Sequence, residues 1–295
     1  MSIKIRIGSR ESVLAVKQAQ ILIDAVRRKY PEIEFELVKI KTIGDKVLDR
    51  NLDAIGGKGL FIKELEQALA DGSIDIAVHS YKDMPYEDSD EFPVVALSER
   101  ESPFDALILP EGAKEPDKSK PVGSSSPRRT IQFDRLYGGH TFKPVRGNVL
   151  TRLSKLDNGE YSALILAQAG LNRLSLQNRI SRVFTADEMI PSASQGILAV
   201  QGRRGEGYAF LDSFHSMESE IVSRGERRYL KTLGSSCSSP VAVYGRLNNS
   251  EILLTGMYVT EEGNVVTGKI SGTADKAELL GETLANQLMA RAETV

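Results

Sequence analysis

Ile3-Lys-Ile-Arg-Ile-Gly-Ser-Arg10 alternates apolar and charged residues through Ile3, Ile5 and Ile7. That period of two predicts a β-strand, and Gly8-Ser9 predicts a turn out of it into a helix. Ser9 is the expected cap and Glu11 suits a first helical turn. Ala15, Ala19, Leu22 and Val26 then fall on one helical face, Pro31 marks its end, and Phe35 to Ile40 reads as a second strand. A β-α-β opening favours parallel strands joined by a helical crossover, and hence an α/β fold. Arg10 falls at the expected helix start, where a cation is electrostatically disfavoured and an anionic ligand would account for it.

Working outward, Asp75-Ile-Ala-Val-His-Ser-Tyr-Lys-Asp-Met-Pro85 supplies the next strand of that sheet. Ile76 to Val78 is a short apolar run of the kind buried on both faces, and Pro85 ends any regular structure. Asp83 follows at once, beside Lys82. Ligands of open α/β sheets collect outside the carboxyl ends of the strands, so Asp83 is a candidate acid or ion-pairing group. A solvated Lys-Asp loop pair is the plainer reading. Between these strands, Gly56 to Gly59 precedes a helix whose face carries Phe61, Leu65 and Leu69. Its backbone N–H groups and Lys58 can cradle an anion. It is not a nucleotide P-loop, since no Ser or Thr follows the lysine, and a tight turn is the alternative.

From Ser98 to Pro103 the chain turns polar and a second αβ pattern begins, with Leu107 to Leu109 apolar and Val122-Gly-Ser-Ser-Ser-Pro-Arg-Arg-Thr130 repeating the order strand, small residues, helix. Ser126 is a good N-cap and Pro127 a good first helical residue, while Arg128 and Arg129 crowd the positive helix end and call for an anion. Val145 to Arg152 repeats the motif with Arg146 and Arg152 around Gly147-Asn148; Ser162 to Leu166 reads as a buried strand, and Arg173 follows. Pro191 to Gly196 is a small-residue crossing, after which Ile197 to Val200 reads as a strand returning to the first sheet. Two αβ lobes joined by two crossings make a cleft, which these cations would line. The last quarter differs: a helix over Glu218 to Leu230, strands over Val241 to Leu247, Ile252 to Val259 and Val265 to Ile270, and a closing helix through Ala277, Leu280, Leu284 and Leu288. That is a small α+β domain. Cys237 lies in its Gly234-Ser-Ser-Cys-Ser-Ser-Pro240 loop; it reads either as a small buried hydrophobe or, among serines, as a site of covalent chemistry.

The totals narrow the classes. The chain has 295 residues, 26% charged and 41% hydrophobic, with a net charge of −2. That composition is ordinary for a soluble globular protein of about two domains and gives no global attraction to nucleic acid. A single Cys excludes an internal disulfide and a cysteine metal cluster, and His79, His140 and His215 lack metal-ligand spacing. No signal peptide and no membrane span is evident, so the cytoplasm is the expected compartment.

Taken together, Ile7-Gly-Ser-Arg10, Lys41-Thr-Ile-Gly-Asp45, Gly56-Gly-Lys-Gly-Leu-Phe61, Asp75 to Pro85, Gly123-Ser-Ser-Ser-Pro-Arg-Arg129, Arg146-Gly-Asn148 with Thr151-Arg152, Leu153 to Glu160 and the Cys237 loop resemble the hydroxymethylbilane synthase (porphobilinogen deaminase) family along nearly the whole chain. The resemblance implies an α/β protein of two periplasmic-binding-protein-like lobes with a cleft between them, 1–98 with 197–217 and 99–196, plus a third small α+β domain, 218–295, with a three-stranded antiparallel sheet. It implies a transferase that joins four porphobilinogen molecules head to tail, releases ammonia and yields hydroxymethylbilane. The implied cofactor is dipyrromethane, attached through a thioether to Cys237. Asp83 would stabilise the cation left by ammonia loss and move protons. Lys82, Asp83, Ser126, Arg128, Arg129, Asn148 and Arg152 would hold the cofactor. Arg10, Ser12, Lys58, Phe61, Arg146, Arg173 and Gln195 would hold substrate rings, each of which brings two carboxylates that suit arginine forks. A cytoplasmic monomer is expected, with porphobilinogen as its small-molecule partner and no metal, nucleic acid or membrane. The sequence departs from the family pattern at Ala54, often Lys; at Ser235-Ser236 and Ser238 around the cysteine; at Ser192 and Ser194; and at Gln201-Gly202. Two rivals stand beside this reading. A non-catalytic two-lobed binder of a small polyanion explains the arginines but leaves Cys237 and Asp83 without a role. A nucleic-acid binder would show affinity falling steeply with salt and has no recognisable RNA-binding motif here.

Overall fold

The opening alternation becomes strand β1 (Ile3–Arg10), followed by helix α1 (Val13–Lys29) and strand β2 (Ile33–Ile40), in a computed structural model that describes residues 3–42, 62–87, 89–234 and 239–294. The strand does not turn at Gly8-Ser9. It pairs in parallel with β2 along its whole length, from Ile3 against Ile33 to Arg10 against Ile40, and this ladder holds both residues extended. The helix cap is therefore Ser12 rather than Ser9: its hydroxyl accepts the Ala15 N–H at 3.2 Å, and Glu11 lies ahead of the cap. Arg10 accordingly ends a strand and does not begin a helix. Gly8 is needed for space, because a Cβ there would lie 2.3 Å from the Ile74 side chain.

The chain packs as two units, Met1–Arg100 with Ile197–Glu220, and residues 101–196 with 221–295. In the first, β3 (Ile76–Ser80) lies beside β1, and β10 (Leu198–Gly202) is inserted antiparallel between β3 and β4 (Val94–Leu97), giving the order β2-β1-β3-β10-β4. The returning strand expected near Ile197 is thus an interior strand of the first sheet. Ile7, Ile76, Val78, Leu198 and Val200 face the Ala19, Leu22, Ile23 and Val26 stripe of α1. Ala77 faces the other side, under Leu65, Ala68 and Leu69 of helix α2 (Lys63–Ala70). A strand covered on both faces is uniformly apolar, which is why Ile76 to Val78 carries no polar alternation.

The second unit repeats the pattern. Strands β5 (Asp105–Ile108), β6 (Val122–Gly123), β7 (Phe142–Lys143), β8 (Ala163–Ala167) and β9 (Arg182–Val183) take the order β7-β6-β8-β5-β9, again with β7, β6 and β8 paired in parallel and one strand, β5, inserted antiparallel between β8 and β9. Helix α3 (Pro127–Tyr137) covers one face through Phe133. Helices α4 (Val149–Asp157) and α5 (Gln168–Arg173) cover the other through Leu153, Leu156 and Leu171. The same unit holds a separate antiparallel meander, β11 (Ala242–Asn248), β12 (Glu251–Val259) and β13 (Val265–Thr273), with helix α7 (Ala277–Ala292) and all but the first turn of helix α6 (Met217–Thr232). The α/β class, the repeated lobe pattern and the three-stranded sheet all match expectation.

Candidate active site

Parallel pairing of β1 with β3 brings their carboxyl ends together, and the start of α1 lies against them. The result is a cavity of about 90 Å³ lined by Arg10, Ser12, Gln18, His79, Ser80 and Asp83, with an apolar wall from Leu14, Ala15, Ile62, Val78 and Met84. Three of the residues singled out in the sequence therefore meet at one place. Asp83 ends a one-turn 3₁₀ segment, Tyr81–Asp83. Tyr81 and Met84 are buried on either side of it, and the Tyr81 N–H is fixed to the Ile197 carbonyl at 3.0 Å, so Asp83 is turned outward and exposed. Gln18 had no part in the sequence reading, and His79 entered it only as one of three histidines without metal-ligand spacing. Gln18 is a polar break in the otherwise apolar α1 stripe, and its amide donates to the Ser80 hydroxyl at 2.9 Å. His79 is 7% exposed. Burial pushes its imidazole down to about 4, with Arg10 adding to the effect and Gln201 opposing it, so the ring is neutral at neutral pH.

A second cluster lies in the other unit, around Asp105 at the start of β5. Its Oδ2 accepts from Arg128 Nη1 at 2.7 Å. Its Oδ1 accepts from Arg129 Nε and Nη2 at 3.0 and 2.7 Å and from Gln195 Nε2 at 3.0 Å. Burial alone would push this carboxyl up, but Arg128 and Arg129 outweigh it and hold it well below the usual carboxylate range. The anion demanded by the two arginines at the head of α3 is thus partly internal. Sequence reasoning missed it because Asp105 is 23 and 24 residues away from them. Gln195 is fully buried and faces inward. Ser126 occupies the N-cap position of α3, but its side chain makes no capping bond.

Further along that unit, Asn148 caps α4, its Oδ1 accepting the Thr151 N–H at 2.9 Å, and Arg152 Nε donates to the Gly147 carbonyl at 2.8 Å. Arg146 and Arg152 are partly buried at this helix start. Arg173 closes α5 and donates to the Gly196 carbonyl at 2.6 Å; burial lowers its guanidinium to about 10, against the pull of Glu101, so it remains a cation at neutral pH. Lys82 is partly buried beside Asp83. Lys58, Phe61 and Cys237 lie outside the described residues. Among the described residues, no cluster of three His, Cys, Asp or Glu could hold a metal ion, and no helix is long and apolar enough to cross a membrane.

Comparison with known families gives two matches in chain order. A model described as porphobilinogen deaminase, dipyromethane cofactor binding domain, matches residues 5–209, and one described as porphobilinogen deaminase, C-terminal domain, matches residues 221–290. The porphobilinogen deaminase of Acetivibrio thermocellus is 52% identical over 290 residues, covering 98% of this chain and 99% of its own. That of Alkaliphilus oremlandii is 53% identical over 285 residues, covering 97% and 96%. That of Neisseria meningitidis serogroup A is 41% identical over 290 residues, covering 97% and 93%.

Proposed function

The chain belongs to the porphobilinogen deaminase family, and from that premise we propose how its own residues divide the family's reaction. The enzyme is a transferase of tetrapyrrole biosynthesis that joins four porphobilinogen molecules head to tail, with release of ammonia, to give hydroxymethylbilane. Its cofactor is dipyrromethane. The observation that carries the assignment of residues is the meeting of Arg10, Ser12 and Asp83 on one cavity. Arg10 supplies a guanidinium for an acetate or propionate side chain of the incoming ring, with Ser12 as a polar contact beside it. Asp83, exposed on the same rim, stabilises the positive charge that develops as ammonia leaves and moves protons to and from the reacting ring. Arg146, Arg173, Lys58, Phe61 and Gln195 complete the set proposed for substrate rings.

Dipyrromethane brings two carboxylates on each of two rings, so its site must offer N–H donors not already satisfied within the protein. The second unit fits that requirement. Arg128 uses only Nη1 internally, and its Nε and Nη2 have no hydrogen-bond partner among the described residues. When bound, the cofactor supplies the nucleophilic pyrrole from which polymerisation starts. Lys82, Asp83, Ser126, Arg128, Arg129, Asn148 and Arg152 are proposed to hold it, and Cys237, the only thiol, to anchor it through a thioether. The same reading takes 1–98 with 197–217, 99–196 and 218–295 as the three domains and the protein as a cytoplasmic monomer that binds neither nucleic acid nor membrane. Intact-mass measurement is the direct test. Purified protein is expected to exceed its sequence mass by one dipyrromethane, and Cys237→Ser to show the bare mass and negligible turnover. Active protein at the bare mass would overturn the anchoring role.

A further inference from the structure

The Asp105 cluster holds two cations and one anion, a formal excess of +1 (+2 −1) on side chains that are at most 10% exposed. Buried charge left unbalanced in this way favours a further anion. The two arginines are not equivalent toward it. Arg129 uses four of its five N–H groups inside the protein, on Asp105 Oδ1 through Nε and Nη2, on the Ile165 carbonyl through Nη1 and on Gln195 Oε1 through Nη2. Arg128 uses both N–H groups of Nη1, on Asp105 Oδ2 and the Ile190 carbonyl. That leaves its Nε and Nη2 edge, the edge that meets both oxygens of a carboxylate. Gln195, in turn, is tied to Pro103 and Asp105 through its amide nitrogen, at 2.6 and 3.0 Å.

We propose that Asp105 is a positioning residue: it pins Arg128 by Nη1 so that the remaining Nε and Nη2 edge is presented to a cofactor carboxylate, while Arg129 and Gln195 hold Asp105 in place. The proposal rests on the reading that Arg128 serves the cofactor. It divides a set of residues that the sequence treats alike. Displacing the Asp105 carboxylate while keeping its charge moves the edge of Arg128 without leaving the two guanidiniums unneutralised.

The test is a time course of cofactor loading, followed as intact mass when cofactor-free protein is incubated with porphobilinogen, at a temperature where circular dichroism shows each variant folded. Asp105→Glu, with one more methylene, is expected to fold and to gain the dipyrromethane mass about tenfold more slowly than wild type, the scale of one charge-assisted hydrogen bond. Arg128→Lys is expected to lose at least as much. The double variant Asp105→Glu/Arg128→Lys should load no more slowly than Arg128→Lys alone, because both changes act on one link. A purely structural Asp105 predicts wild-type loading by folded Asp105→Glu, and that result would overturn the proposal while leaving Arg128 as a cofactor ligand. Wild-type loading by Arg128→Lys would instead sink the cofactor reading itself, and this inference with it. If Asp105→Glu does not fold, Gln195→Met, which removes only one support of Asp105, should slow loading a few-fold, and an unchanged rate would decide against the proposal.

Discussion

Asp83 is held outward by two buried neighbours, so its carboxylate can be altered without touching the core. Asp83→Asn is expected to fold like wild type and to lose roughly 10²-fold or more in turnover, the usual scale of general acid–base help. Single-turnover ammonia release by the cofactor-loaded variant is the decisive measurement; near-normal release would return Asp83 to an ordinary loop charge. His79, on the wall of the same cavity, makes a prediction in pH. Its folded value is pushed down to about 4 from an ordinary 6.5. Between those values the unfolded chain binds a proton that the folded chain excludes, so stability rises with pH across this window. It is complete above about 6.5 and lost as pH falls toward 4, by about 3 kcal/mol. His79→Gln should flatten the stability–pH curve there, and parallel curves for the two proteins would contradict the burial argument. At this scale the sequence placed Asp83 just beyond the carboxyl end of a buried strand, where it lies, but set Arg10 at a helix start when it is the last residue of β1. It was not legible for Asp105 or Gln195, whose meaning comes from partners brought in by the fold.

At the scale of elements, most strands and helices could be read from period and punctuation, though β4, β7 and β9 were not, and the opening strand was read short. Gly8 and Ser9 look like a turn, yet they stay in the strand because β1 is paired on both sides at that point, with β2 through Gly8 against Val38 and with β3 through Gly8 against Ala77. Ladder bonds from neighbours distant in sequence override the local preference, and the helix start moves to the next competent cap. A similar long-range device joins the segment after Ile190 to the antiparallel meander. Glu226 of α6 is fully buried and accepts the backbone N–H groups of Ser194 and Gly245, both at 2.6 Å. Glu226→Leu would remove the buried acceptor that both donors share, at a cost of about 2–5 kcal/mol. The expected outcome is a thermal midpoint lower by about 5–15 °C in scanning calorimetry. An unshifted midpoint would show that water replaces the carboxylate at no cost.

At the scale of the whole molecule, the first unit is discontinuous in sequence, since β10 follows the strands of the second sheet along the chain and fills the gap between β3 and β4. A fragment of residues 1–100 should therefore lack cooperative unfolding. The same fragment joined to 197–220 by a short Gly-Ser linker should regain it, because the Ser98 N–H already reaches the Leu198 carbonyl at 2.9 Å and the joined ends start close together. Cooperative melting of 1–100 alone would mean that β10 is dispensable. For a growing polypeptide the consequence is an inversion of order. All five strands of the second sheet lie within Asp105–Val183, so that sheet can close as it emerges from the ribosome. The first sheet is begun earlier but must wait for Leu198–Gly202. At synthesis rates of roughly 5–20 residues per second, the hundred or so residues between β4 and β10 correspond to about 5–20 s. During that interval the nascent chain carries facing, unpaired edges of β3 and β4, the kind of surface that chaperones shield and neighbouring nascent chains can pair with.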